Sequence, residues 1–226
     1  LPAAGGFTFV DSDNNGSQDL YTSRSSDGNF SWMATLVPNQ DLHSLTPSDV
    51  FTLSVVVCHQ RPLVNFSIDT TTSDMYLYTE RVAQADFTEV GGTGYGGGEM
   101  LLIWPADGST IANNATNFEI ARQTLKARSG DWIMLGGFAP RLLANGAYAY
   151  DVPVFKWYRV TEADHEPEYH PSEQHYAVAV SLSGQDWDTS LCGIANTPGT
   201  NAQATLMTGV VAVYEKSIRL ETGTDY

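Results

Sequence analysis

Two apolar runs between residues 29 and 58 alternate with period two, and no other feature of the sequence restricts the fold as strongly. Alternation among aromatic and β-branched residues is typical of strands, because successive strand side chains point to opposite faces. The residues that share one face in each run are Phe30, Trp32, Ala34 and Leu36, and then Phe51, Leu53, Val55 and Val57. The connector contains Thr46-Pro47-Ser48-Asp49, which favours a turn. The segment therefore predicts an antiparallel hairpin at the heart of a β-sheet.

Further strands are predicted at residues 153–160, 175–182 and 205–221, where apolar and β-branched residues again alternate. Together with the hairpin, these strands predict a mainly β fold built from antiparallel sheet. We expect a single β-rich globular domain over residues 1–226. Within it, residues from about 95 to 190 could form an inserted β-rich subdomain.

Residues 116–128 allow two interpretations. Thr116 and Glu119 have the spacing of a helix capping box. The run from residue 122 to residue 135 also resembles two strands around a Ser-Gly-Asp turn. We favour the two strands over the helix.

The charge balance excludes one large class of partner. The chain has 26 acidic residues against 11 lysines and arginines, for a formal charge of −15. A surface this acidic repels phosphate backbones, so we expect no nucleic-acid partner. Divalent cations are favoured instead. No run of about 18 apolar residues is present, so the sequence predicts no transmembrane helix.

An aspartate-rich run near the start has the spacing of a calcium loop. Asp11, Asp13, Asn15 and Asp19 stand at positions 1, 3, 5 and 9 of that loop, around a glycine at position 6. Alternate oxygen donors around a tight turn are what a hard cation needs. Position 12, normally a bidentate glutamate, is Thr22, which predicts weak affinity or help from a remote carboxylate. The run predicts calcium binding, and an ordinary Asp/Asn/Gly turn is the alternative.

The densest polar segment is residues 164–175. Its candidate ligands are His165, Glu166, Glu168, His170, Glu173 and His175. Histidines five residues apart with interleaved carboxylates could bind zinc or copper. The spacing is not that of the HExxH metalloproteases, and Pro167 would break the helix that such a motif requires. We therefore expect a solvated acidic loop between two strands.

Tryptophans and cysteines add weaker signals. Trp32, Trp132 and Trp157 alternate with their neighbours as core residues do. Trp187 could be exposed for sugar stacking, although a tryptophan packed in a turn is the favoured interpretation. The two cysteines, Cys58 and Cys192, could form a disulfide or remain two buried thiols.

Several strands resemble those of one family. Residues 31–38 followed by residues 53–57 look like the first sheet hairpin of minor pilins of type IV pili, and of minor pseudopilins of type II secretion. Residues 129–135, 155–160 and 211–221 are similar to further strands of such heads. The resemblance covers about two-thirds of the chain in patches, and its motifs are strand patterns.

The resemblance implies an exported pilin-like headpiece with a β-rich insertion, found outside the cell or at its surface, after passing through the periplasm. Such a head is a structural subunit that acts by assembly with other pilin or pseudopilin subunits, so we expect no enzyme and no active site. Membrane contact would come only through an apolar N-terminal helix of about 20 or more residues upstream of Leu1. Calcium in pseudopilin heads supports the calcium prediction for residues 11–19.

Two alternatives remain. One is a secreted, calcium-stabilised β-sandwich that binds carbohydrate, suggested by the aspartate-rich run, the glycine-rich residues 91–98 and the eleven tyrosines. The other is a metal-dependent hydrolase that uses residues 165–175, which we favour least.

Overall fold

The computed structural model describes residues 8–10, 19–21, 30–38, 49–59, 80–87, 95–96, 98–197 and 199–219. The strands are β1 (Thr8–Val10), β2 (Asp19–Tyr21), β3 (Phe30–Pro38), β4 (Val50–His59), β5 (Glu80–Phe87), β6 (Tyr95–Gly96), β7 (Glu99–Trp104), β8 (Trp132–Leu142), β9 (Tyr148–Ala163), β10 (Glu168–His170), β11 (His175–Ser183), β12 (Trp187–Asp188), β13 (Ala202–Met207) and β14 (Val210–Arg219). Helix α1 spans Ala115–Thr124. The mainly β, antiparallel prediction is therefore confirmed.

Six strands close into an antiparallel barrel in the order β11-β7-β5-β13-β8-β9, with β9 pairing back to β11. Strand β10 pairs with the first residues of β11, on the same edge of β11 that pairs with β9 further along. Closure gives each barrel strand a neighbour on both sides, which removes the open edges that a flat sheet would have. The predicted inserted subdomain at 95–190 stays a prediction.

Alternation along the barrel strands fills the barrel interior. One set of alternate side chains points inward and is almost fully buried, including Leu102, Ile133, Leu135, Val160 and Tyr176. The other set points outward, toward solvent or toward the rest of the chain. This arrangement forms the larger hydrophobic core.

Helix α1 contradicts the first of the two strands predicted around Ser-Gly-Asp, whereas the second is confirmed as the start of β8. The N-cap of α1 is Asn114, whose side-chain oxygen accepts a hydrogen bond from the backbone N–H of Asn117 at 2.8 Å. Asparagine is among the best N-cap residues, and it precedes the proposed Thr116 capping box by two positions. The helix buries Ala121, and the following Leu125 joins it in the barrel core. A ten-residue helix that packs on a barrel needs only a narrow apolar stripe. Such a short stripe gives a weak helical pattern in the sequence, and the prediction of the first strand failed for that reason.

A separate three-stranded sheet, β14-β4-β3, packs against the outside of β8 and β9. Its inner face forms a second core around Val56, Cys58, Trp157 and Met207. The predicted hairpin is confirmed: β3 and β4 pair without a shift from Phe30 opposite His59 to Pro38 opposite Phe51. Its predicted place at the heart of a sheet is wrong for β3 within the described residues, where β3 pairs with β4 alone.

The two cysteines are free thiols, and both are buried. Cys58 lies in the second core and Cys192 near Phe138. Among the described residues, no helix has the length and hydropathy that a membrane crossing requires.

Candidate functional site

The outer face of the three-stranded sheet is an apolar surface that lacks a packing partner among the described residues. It is formed by the side chains of β3, β4 and β14 that point away from the barrel, because directly paired residues share a face. These outer-face residues are Phe30, Trp32, Ala34, Leu36, Phe51, Leu53, Val55, Val57, His59, Ala212, Tyr214, Lys216 and Ile218. Three aromatic side chains are strongly exposed: Trp32 at 73%, Tyr214 at 66% and Phe30 at 60%.

The exposure of Trp32 contradicts its predicted place in a core. The predicted alternation is confirmed, with Ser31, Met33, Thr35 and Val37 as the more buried set. That set includes two hydroxyl side chains, so hydrophobicity alone favours burial of the face that carries Trp32. The packing of Met33 against the second core decides the orientation and leaves Trp32 outside. Trp132 and Trp157 do pack at the second core, as predicted.

The edges of this sheet are also open within the described chain. Strands β3 and β14 each pair with β4 alone among the described residues. An edge strand presents backbone N–H and C=O groups that another strand can pair with. The outer face and the two edges together are suited to contact with another macromolecule.

The predicted calcium ligands cannot be placed. Asp11, Asp13 and Asn15 lie outside the described residues, and Asp19 is described only by its backbone in β2. Strand β1 pairs with β2 so that Val10 lies opposite Asp19, which brings the two ends of the aspartate-rich run together. Calcium binding there stays a prediction.

A second candidate site is the hairpin between β10 and β11. His170 and His175 are directly opposite each other in the register, on either side of a four-residue turn. Directly opposite residues in an antiparallel pair have Cβ atoms about 5 Å apart. The two imidazole rings accordingly stack, with centroids 5.1 Å apart. Glu173 in the turn reaches both rings, with Oε2 3.7 Å from His170 Nδ1 and 4.0 Å from His175 Nε2.

The backbone of this turn is held by several hydrogen bonds. The N–H of Gln174 donates to the carbonyl of His170 at 2.8 Å, and Gln174 has a positive φ of 55°. The N–H of Ile111 donates to the carbonyl of Gln174 at 2.8 Å. The hydroxyl of Tyr169 donates to the carbonyl of Ile111 at 3.0 Å. The turn is therefore tied to the loop that leads into α1.

A cavity of about 470 Å³ opens beside the histidines, on the outer surface of β5, β7 and β11. Its polar lining includes Gln84, Asp86 and Asn201. Burial raises the pKa of Asp86, which His175 partly opposes. Burial also lowers the pKa of His175, and the neighbouring His170 lowers it further, which favours the neutral imidazole. A neutral imidazole is the form that binds a metal ion.

The structure corrects the prediction of a solvated loop over residues 164–175. Residues 168–170 form β10, and the hairpin gathers only His170, Glu173 and His175 of the six predicted candidates. His165 instead lines a separate cavity with Arg122 and Lys126. The signal that predicts the pairing is Pro171-Ser172-Glu173-Gln174, a turn-like tetrapeptide with a histidine at each end.

Comparison of the chain with family models, with curated proteins and with solved structures gave no match. Any function is therefore inferred from the chain's own residues and geometry.

Proposed function

We propose that this chain is a structural subunit, a pilin-like or pseudopilin-like head that acts by assembly with other subunits at or outside the cell surface. The observation that carries the proposal is the outer face, where Trp32, Tyr214 and Phe30 are exposed together. Contiguous apolar patches on the surface of a folded protein usually mark interaction sites. Calcium at residues 11–19 belongs to the same proposal as a stabiliser of the head.

The composition of the outer face supports contact with protein. Tyr, Trp and Phe are enriched at the centre of protein interfaces, where charged residues are depleted. The outer-face residues include no carboxylate, although the chain carries a formal charge of −15. Because the face is free of the dominant charge, a second acidic subunit can approach there without strong repulsion.

The energetic reason for assembly is the apolar surface that remains in water. Full burial of a large apolar side chain stabilises by about 1.5–3 kcal/mol. Folding leaves that gain unrealised for Trp32, Tyr214 and Phe30, so a neighbouring subunit that covers them obtains it. We take the occupant to be another subunit of the same assembly, which would pack side by side on this face.

Trp187, the tryptophan suggested for sugar stacking in the carbohydrate-binding alternative, is not available at the surface, because it is only 1% exposed. Its ring packs parallel to that of Phe87, with centroids 6.4 Å apart. The prediction that Trp187 is packed is therefore confirmed, but it lies in strand β12 and not in a turn.

The proposal predicts self-association that depends on the outer face. The 226-residue chain should associate in a concentration-dependent way in sedimentation-velocity experiments. Trp32→Ser and Tyr214→Ser should each raise the dissociation constant at least about tenfold, because central aromatic residues dominate interface energetics.

Tyr148→Ser is the matched control, since Tyr148 is 59% exposed but lies on β9, outside the outer face. It should leave the association unchanged. A wild-type chain that stays monomeric at every concentration would contradict the proposal, and so would equal association constants for all the variants.

A further inference from the structure

We propose that His170, Glu173 and His175 form a binding site for a divalent transition-metal ion of the zinc class. The three ligand atoms all lie within 4.8 Å of one another. Among the described residues, these are the three histidine, cysteine or acidic side chains whose ligand atoms lie close enough together to hold one metal ion. The site is independent of the proposed assembly function.

The donor set selects the metal. Two imidazole nitrogens and one carboxylate oxygen are ligands that zinc accepts readily, and imidazole also suits copper and nickel. Calcium and magnesium prefer sites made entirely of oxygen donors. The His170–His175 pair therefore favours zinc over the calcium predicted for residues 11–19.

The distances from Glu173 require only small adjustments. Ligand atoms about 2.0–2.2 Å from a tetrahedral zinc ion are about 3.3–3.5 Å from one another. Glu173 Oε2 lies 3.7 Å from His170 Nδ1 and 4.0 Å from His175 Nε2, so movements of a few tenths of an ångström bring Glu173 into range. Glu173 can supply much of that movement, because its side chain is 58% exposed. The three ligand atoms lie within 4.8 Å of one another, so zinc would draw the two imidazole nitrogens together by at most about 1.3 Å.

The backbone holds both histidines in place before any metal arrives. They occupy paired positions of the β10–β11 hairpin, and the hydrogen bonds of Gln174 to His170 and Ile111 fix the turn. Ligands that are already ordered lose less conformational entropy on binding. The side chain of His175 is only 16% exposed, which restricts its rotamers further.

Three protein ligands leave the fourth tetrahedral position open. It would face the 470 Å³ cavity that Asp86, Gln84 and Asn201 line. The side chain of Gln84 already donates to the carbonyl of Ala106 at 3.2 Å. Asp86 lines the same cavity as His175, which places a carboxylate near the proposed site.

The site and the outer face lie on opposite sides of the barrel. The cavity is centred on β7, whereas the three-stranded sheet packs on β8 and β9, and β7 and β8 are three places apart in the six-strand ring. A variant of one surface should therefore leave the other unaffected. Failure of the metal experiment would not bear on assembly.

The decisive experiment is zinc titration by calorimetry on the full chain after chelator treatment and dialysis. The wild type should bind one zinc ion that excess calcium does not displace. His170→Ala and His175→Ala should each weaken binding at least about tenfold, because each removes a direct ligand. Glu173→Gln should weaken it too, and its exposed side chain makes a folding defect unexpected. His165→Ala is the matched control and should bind as the wild type does.

Cobalt provides a second, independent readout. Co²⁺ in a tetrahedral site with nitrogen ligands gives strong visible absorption, which should disappear in His175→Ala and Glu173→Gln and persist in His165→Ala. The proposal is overturned if the wild type does not bind zinc, or if Glu173→Gln and His165→Ala bind it equally well. If a histidine variant fails to fold, Glu173→Gln against His165→Ala still decides the question.

Discussion

The barrel and the three-stranded sheet are both antiparallel, yet their strands are covered differently. Each barrel strand has neighbours on both sides, and the inward side chains are buried by the same ring. In the sheet, β3 and β14 pair with β4 alone within the described chain, and only the inner face is packed. The barrel thus satisfies its hydrogen bonding and apolar burial by itself, whereas the sheet is left with surface that another molecule can cover.

The difference is visible in the side chains of the strands. Barrel strand β11 buries the inward-pointing Tyr176, Val178 and Val180, and its outward-pointing residues include the small, exposed Ala179. Strands β3 and β4 carry apolar residues on both faces. Strands that are apolar on both faces are typical of sheets covered on both sides. The outer face is therefore where we expect binding, and the barrel interior is where we expect stability.

The largest predicted effect compares one leucine from each region. Leu102 is fully buried in the barrel, and Leu36 is 47% exposed on the outer face. Leu102→Ala should lower the free energy of unfolding by about 2–5 kcal/mol, because it leaves a cavity in a closed core. Leu36→Ala should cost less than about 1 kcal/mol in the dissociated chain. Chemical denaturation at low protein concentration measures both, and equal losses would break the comparison.

The next prediction concerns the connection between the two regions. Gly209 joins β13 of the barrel to β14 of the sheet with a φ of +83°, and a Cβ there would lie 2.7 Å from the carbonyl oxygen of His59. Gly209→Ala should therefore lower the free energy of unfolding by about 2–4 kcal/mol, from backbone strain plus displacement of β4.

Gly146→Ala is the control for that substitution. Gly146 turns the β8–β9 hairpin of the barrel with a φ of +81°, but nothing lies within 4 Å of its Cβ position. It should cost only the left-handed backbone conformation, about 1–2 kcal/mol. Equal decreases in Tm for Gly209→Ala and Gly146→Ala would show that the close approach to His59 does not add to the loss of stability.

The smallest predicted effect is the contribution to stability of an exposed ion pair on α1, the helix that packs on the barrel. Hydrogen bonds from Arg122 lower the pKa of Glu119 on α1 to about 2. A carboxylate with a lowered pKa stabilises the fold above its ordinary pKa of 4.5, and this contribution is lost as the pH falls toward 2. Because the pair is exposed, Glu119→Gln should reduce Tm only slightly at neutral pH, and not at all in strong acid.

The control for that pair is Glu162→Gln, which changes an exposed residue on β9, outside the helix. It should leave Tm unchanged over the same pH range. If Glu119→Gln lowers Tm as much as Leu102→Ala does, apolar burial is not the main source of stability in the barrel region.

The fold class and one hairpin of this protein follow from local alternation in the sequence alone. The period-two pattern specified the β class and the β3–β4 hairpin, because strand geometry assigns successive side chains to opposite faces. Composition identified the polar segment at 164–175 as chemically distinctive. Helix α1 was one of the two interpretations of residues 116–128, but the strand pattern was favoured over it.

Only the tertiary structure decided which faces are covered. The barrel closes through β5 pairing with β13, which are more than a hundred residues apart in the chain, and no local pattern specifies such a partner. Trp32 is exposed because Met33 packs on the barrel, and the sequence ranks both side chains as apolar. His175 meets His170 rather than His165 because a four-residue turn sets their register. In each case the periodicity defines two faces or a set of candidates, and long-range packing and hydrogen bonding select among them.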